Sequence, residues 1–242
     1  MQIIVEKQKV NFEVYGQGKP IIYLHGWGSN LKTWYSLVNK LPQNYSHILI
    51  DLPGFGESTF PTKIWGLFEY VNFLNALFKE LDINNPYIVG HSFGGKIATK
   101  FAATNNNLRK LILIAPSGVD SRSSYIKFKI AILKLLKIIF SKNVTETLKD
   151  SIGSVDYKTA GQLRNVLNKV TNEKIIEDLS NVPVPTLILW GDKDNTLSVK
   201  QGKIFENSIA DAYLKIIWET KHYPHIEEPL ETAKAIKEFI NE

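Results

Sequence analysis

Short apolar runs alternate with segments of helical periodicity along almost the whole chain, and that alternation limits the fold more than any other feature. Residues 21–24, 47–50, 87–89, 111–114, 187–190 and 214–218 read as strands, several of them continuously apolar. Residues 34–41, 64–81, 96–103 and 230–240 read as helices, with Leu67, Val71, Leu74, Leu77, Phe78 and Leu81 marking one face of the second. Parallel strands need a crossover, and a helix is the usual one, so the pattern implies an α/β domain with a mainly parallel sheet covered on both faces. Residues 3–6 and 11–15 add an opening hairpin.

The alternation fails between Pro116 and Pro183, where helical periodicity continues without a convincing strand. That stretch reads as a helical cap inserted between two sheet strands. The expected organisation is a core domain of residues 1–118 and 183–242 with a cap, or lid, over residues 119–182. A single α/β domain with such an insertion fits 242 residues.

Composition narrows the function classes. Apolar residues at 44% and charged residues at 22% are the balance of a globular chain. The longest greasy run, residues 126–140, is interrupted by Lys127, Lys129, Lys134 and Lys137, so it does not span a bilayer. Glu6 and Lys7 stand where a signal peptide would need its apolar stretch, and a cytoplasmic chain is expected. There is no cysteine, hence no disulfide, no thiolate nucleophile and no cysteine metal site. No metal or organic cofactor is expected. The net charge of +5 is carried by residues 121–150, where seven basic residues face two acidic ones. A nucleic-acid binder would spread basic residues over a face with aromatics between them, so no nucleic-acid partner is expected. Gly16-Gln-Gly18 lacks the helix start and the Lys-Ser/Thr pair of a phosphate loop.

Gly90-His-Ser-Phe-Gly94 is a G-x-S-x-G motif placed between a strand and a helix. A serine hydroxyl is a poor nucleophile at neutral pH. It needs exposure, a base and a home for the negative charge it creates. A sharp strand-to-helix turn lifts Ser92 out of the backbone, and the helix N-terminus supplies free N–H groups and partial positive charge.

Histidine is the side chain poised to act as base near neutral pH. His222 and His225 both follow the strand at residues 214–218 and could reach the sheet edge, with Pro224 between them arguing for a loop. The bland role for His225 is a structural hydrogen bond within that loop. His25 is expected to brace its own loop. His91 is expected inside the turn, pointing away if Ser92 points out. His47 starts a strand and is expected to be exposed. The base needs an acid to fix its tautomer, and Asp192 and Asp194 both follow the strand at residues 187–190.

Taken in order, these motifs resemble the α/β-hydrolase superfamily, from about residue 10 to the end. His25-Gly26-Trp27-Gly28 is similar to that family's His-Gly loop, and Asp51-Leu-Pro-Gly-Phe-Gly-Glu-Ser58 to its Asp-x-x-Gly-x-Gly-x-Ser loop. Trp190-Gly-Asp-Lys-Asp194 and His222-Tyr-Pro-His-Ile-Glu-Glu-Pro229 resemble the segments carrying the acid and the histidine. The resemblance implies a triad of Ser92, Asp194 and His222, an oxyanion hole from the N–H groups of Trp27 and Phe93, and no metal. It makes Asp192 a turn residue bonding its own backbone. Asp51 becomes a structural residue bonding neighbouring N–H groups. Relatives that use a nucleophilic aspartate place it where Ser92 stands. Two departures border the pocket: Lys221 replaces a common glycine, and Thr196-Leu197-Ser198 replaces a common proline.

The implied function is hydrolysis of carboxylic esters of small to medium acyl chain through an acyl-enzyme. Lactone hydrolysis, carbon–carbon hydrolysis of ring-cleavage diketones and thioester cleavage use the same groups. A ligand-binding relative that keeps the pocket without turnover is the non-enzymatic alternative. Trp27, Phe93, Leu133, Leu136 and Leu197 are the candidate lining of a substrate pocket that is mostly apolar. The basic cap helix offers a second reading as a membrane-surface contact through Lys127, Lys134 and Lys137. The sequence leaves the oligomeric state open.

Overall fold

The structure is a computed structural model that describes residues 1–119 and 160–241. Leu133, Leu136 and the three cap lysines lie outside the described residues.

Eight strands form one sheet: β1 (Gln2–Val5), β2 (Gln8–Tyr15), β3 (Lys19–Leu24), β4 (Tyr45–Ile50), β5 (Tyr87–His91), β6 (Lys110–Ile114), β7 (Thr186–Gly191) and β8 (Ala212–Ile217). Their spatial order is β1-β2-β4-β3-β5-β6-β7-β8. The first two strands are antiparallel, and from β4 to β8 every pairing is parallel. The expected mainly parallel α/β sheet is therefore present. Its central strands alternate between two buried faces rather than between core and solvent. Ile22, Leu24, Ile88 and Leu113 face one apolar cluster, while Ile21, Tyr23, Val89 and Ile112 face the other.

Seven helices fall among the described residues: α1 (Tyr35–Val38), α2 (Leu67–Glu80), α3 (Phe93–Thr104), α4 (Arg164–Asn172), α5 (Val199–Ser208), α6 (Pro224–Glu227) and α7 (Pro229–Asn241). The apolar stripes of α2 and α3 bury against the first face, and α1 and α7 cover the second. Helix α2 begins three residues later than its periodicity predicts. Gly66 is extended at the N-cap position, and the Glu69 carboxylate turns back to accept from the Gly66 N–H at 2.5 Å. His222-Tyr-Pro is followed by one helical turn, α6, where a loop was expected; Pro224 sits in its first turn, the position that tolerates a missing N–H.

His47 corrects an expectation. It is fully buried, with Tyr23 Oη 2.8 Å from its Nδ1 and the Pro42 carbonyl oxygen 3.0 Å from its Nε2. A strand inside a sheet covered on both faces has no solvent side for a polar residue to seek.

Candidate active site

The parallel register brings the strand ends level. Leu24 stands opposite Gly90, His91 opposite Ile114 and Gly191 opposite Ile217. The loops after β3, β5, β7 and β8 therefore emerge at one edge of the sheet, carrying Trp27, Ser92, Asp194 and His222.

Ser92 occupies the elbow between β5 and α3 with φ 48° and ψ −109°, a conformation that L-residues rarely adopt. The turn is pinned by main-chain bonds. Ser92 N–H donates to Ile114 O at 3.0 Å, and Ser92 O accepts from Lys96 N–H at 3.0 Å and Ser117 N–H at 3.1 Å. Its side chain makes no capping bond to the helix. Gly94 is obligatory here, since a Cβ would collide with the carbonyl oxygen of Leu24. Helix α3 thus starts directly against the end of β3.

Between the two loops to its side, His222 Nδ1 lies 2.7 Å from Asp194 Oδ2, with both side chains buried. A carboxylate accepts, so Nδ1 carries the proton and Nε2 keeps its lone pair. The other carboxylate oxygen of Asp194 accepts from Thr196 N–H at 2.8 Å and Leu197 N–H at 2.9 Å. Asp194 is thus both turn former and histidine partner. Asp192 does not bond its own turn as expected. Its carboxylate accepts from Thr220 N–H at 3.2 Å, tying the β7 loop to the β8 loop. Gly191 permits that closeness, because a Cβ there would strike the carbonyl oxygens of Thr220 and Lys221. Glu227 folds back to accept from Lys221 N–H at 2.8 Å and Tyr223 N–H at 3.1 Å, holding the peptides on either side of His222.

The other histidines are buried. His25 Nδ1 lies 2.7 Å from Gly26 O, and its Nε2 accepts from Leu52 N–H at 3.0 Å, which braces the loop after β3. Burial pulls its pKa down to about 4. His91 points under the elbow, its Nε2 2.9 Å from the carbonyl oxygen of His222. His225 corrects an expectation: neither of its ring nitrogens has a hydrogen-bond partner among the described residues. Instead it stacks between Trp34 and His91 at centroid distances of 4.5 and 4.7 Å. Burial, aided by the nearby His222, lowers its pKa to about 3.

Trp27 and Phe93, the predicted oxyanion residues, touch edge to face at 5.3 Å. Phe55 packs on Trp27 at 4.9 Å and Tyr70 on Phe93 at 5.2 Å, so an aromatic wall stands beside Ser92. Phe55 sits in the Asp51 loop, between Gly54 and Gly56. As the first helical residue, Phe93 has an N–H with no partner inside α3. Leu197 packs against the same apolar cluster. The Asp51 carboxylate is buried and accepts from Leu31 N–H at 2.7 Å, Asn11 Nδ2 at 2.8 Å and Glu57 N–H at 2.9 Å. It joins three segments.

Residues 160–182, the described part of the expected cap, form turns and the helix α4 against α2 and α3. Lys96, one turn after Ser92, buries its ammonium against the carbonyl oxygens of Val170 and, at 2.6 Å, Glu173. Burial, with Lys174 nearby, brings its pKa down to about 8. The Glu173 carboxylate in turn accepts from Leu67 N–H at 2.7 Å. An apolar helix face holding one lysine was the available signal for this tie.

Comparison with known proteins agrees with this architecture. A monoacylglycerol lipase of Mus musculus is 24% identical, with the alignment covering 93% of this chain and 76% of its own. An AB hydrolase superfamily protein of Bacillus subtilis is 27% identical over 95% of this chain and 94% of its own. The solved structure of an esterase from Exiguobacterium antarcticum superposes with a TM-score of 0.78 at 21% identity, covering 100% of this chain and 99% of its own. The family model of the alpha/beta hydrolase fold matches residues 19–154, more than half of the chain. This chain belongs to the alpha/beta hydrolase fold family.

Proposed function

We propose that this protein hydrolyses carboxylic esters of small to medium acyl chain through Ser92, His222 and Asp194. The observation that carries the reading is the buried 2.7 Å contact between His222 Nδ1 and Asp194 Oδ2 at the sheet edge that also bears Ser92. It supports a base whose Nε2 lone pair is free to take the serine proton.

In this mechanism Ser92 Oγ adds to the ester carbonyl as His222 Nε2 accepts its proton. Asp194 stabilises the imidazolium. The N–H groups of Trp27 and Phe93 bind the oxyanion, where removing one such donor costs about 10²–10³ in rate in other enzymes. Collapse expels the alcohol, which takes the proton from His222. Water, deprotonated by His222, then adds to the acyl-enzyme; collapse breaks the bond to Ser92 Oγ, which takes the proton back from His222 as the carboxylic acid leaves. The aromatic wall of Trp27, Phe55 and Phe93 supports an uncharged acyl group beside Ser92. Residues 119–182 are proposed as the lid that closes over it.

Turnover of a series of chromogenic 4-nitrophenyl esters tests this reading. Wild type hydrolyses the short and medium chains, and Ser92→Ala loses at least about 10³ in kcat with the fold intact. Ser92→Ala retaining a tenth of the wild-type rate, or no ester turnover by wild type, overturns it.

A further inference from the structure

One buried side chain joins the nucleophile's strand to the loop of the base. We propose that His91 is a positioning residue, which donates its Nε2–H to the main-chain carbonyl of His222 and thereby sets where the base stands relative to Ser92. The inference rests on the ester-hydrolysis reading above.

The donor and acceptor follow from the chemistry of the contact. His91 Nε2 lies 2.9 Å from His222 O. A carbonyl oxygen only accepts, so Nε2 carries the hydrogen, and the neutral ring leaves Nδ1 bare. The bond spans 131 residues of chain yet ends one residue from Ser92 on one side and on the base itself on the other. Its main chain is held in the sheet opposite Ile114. The ring cannot swing away easily. It packs against His222, Tyr223 and His225 at centroid distances of 4.9, 4.8 and 4.7 Å, and a Cβ built on Gly26 would lie 2.8 Å from its Nδ1. Histidine 91 therefore touches the oxyanion loop and the base loop while being joined covalently to Ser92.

The remaining restraints on the base loop act elsewhere. Glu227 holds Lys221 and Tyr223 from within the same loop, and Asp192 ties Thr220 to the β7 loop. Asp194 fixes the imidazole of His222 but not its main chain. Among the described residues, the His91 bond is the hydrogen bond that ties the His222 peptide to β5. A neutral donor suits that place, because an imidazolium forms on His222 during proton transfer and a second charge beside it would repel. Burial, then the neighbouring His225 and His222, hold the pKa of His91 well below the ordinary histidine value.

The test measures kcat and KM for one chromogenic ester in His91→Leu, His91→Gln and His91→Asn, with thermal melting of each. A glutamine amide N–H reaches the Nε2 position, whereas an asparagine amide reaches only the Nδ1 position. His91→Leu is expected to lose about tenfold to a hundredfold in kcat with KM little changed, the effect of a small misplacement of a reacting group. His91→Gln is expected to recover most of that loss, and His91→Asn is not. Leucine at wild-type kcat, or glutamine no more active than asparagine, overturns the proposal. If the leucine variant does not fold, the glutamine–asparagine pair decides alone. His222→Ala is measured beside them. Activity surviving in it overturns the ester mechanism itself, and the positioning role with it. An inactive His222→Ala alongside a fully active His91→Leu overturns only the positioning role.

Discussion

Asp194 contacts His222 through one carboxylate oxygen and its own loop through the other, so the two functions can be separated by substitution. Asp194→Asn can keep the oxygen that accepts from Thr196 and Leu197 and present an N–H donor to His222 Nδ1. The histidine would then hold its proton on the wrong nitrogen. We expect a loss of about 10³–10⁴ in kcat with an unchanged melting temperature. Asp192→Asn can still accept from Thr220 and should cost less than about tenfold. Ester kinetics on the two variants check this, and the reverse ranking would move the acid to Asp192.

Asp51 is expected to matter for stability rather than for chemistry. Asp51→Ala strands the N–H of Leu31, the amide of Asn11 and the N–H of Glu57. The Leu31 and Asn11 donors are buried, whereas Glu57 is exposed and water can satisfy its N–H; at about 1–3 kcal/mol for each buried donor left unpaired, we expect a loss of at least about 2 kcal/mol in urea unfolding. A change below about 1 kcal/mol would mean that the three segments do not depend on this carboxylate.

Acid should weaken the fold through its buried histidines. Burial holds the folded pKa values of His25 and His225 down to about 4 and about 3, against about 6.5 for an unperturbed histidine. Between these values the unfolded chain binds more protons, so stability falls as pH drops below 6.5 and levels off only below the folded values. His225→Phe removes one of these sites without stranding a hydrogen bond. Relative to wild type, the variant should gain about 2–3 kcal/mol on going from pH 7 to pH 4.5. Urea titrations at the two pH values measure the difference, and parallel losses in both proteins would contradict it.

The opening hairpin is expected to tolerate improvement. Glu6 and Lys7 form a two-residue turn between Val5 and Gln8, with φ 46° and 68°. Such turns favour Asn-Gly, because both positions need positive φ. Lys7→Gly should add about 0.5–1 kcal/mol, raising Tm by about 2 °C for a chain of this size. A lower Tm would show that the lysine side chain contributes more than its backbone strain removes.

The sheet was legible because parallel strands buried on both faces leave continuous apolar runs, such as Leu111 to Ile114 and Leu187 to Trp190. The strand-to-helix turn at Ser92 was legible because its glycines and serine sit next to one another in the chain. What escaped was decided by partners distant in sequence. Asp192 looks like a local turn former, yet its bond reaches Thr220. His225 looks like a loop hydrogen-bonder, yet it fills a gap between Trp34 and His91. His47 looks like a strand-start polar residue, yet the Tyr23 hydroxyl receives it in the interior. Lys96 sits on an apolar helix face, and only α4 supplies the carbonyl oxygens that satisfy it.

The backbone of Ser92 sets the side chain it carries against stability at a single position. Its left-handed geometry holds about 1–3 kcal/mol of strain that glycine would not feel, against about 0.5–1 kcal/mol of extra chain entropy lost by glycine on folding. Ser92→Gly would therefore fold at least as well while losing its hydroxyl. In a lineage relieved of any demand on that hydroxyl, selection for folding alone would favour glycine at this elbow. A serine that stands there against that gradient counts in favour of a chain still selected for what its hydroxyl does.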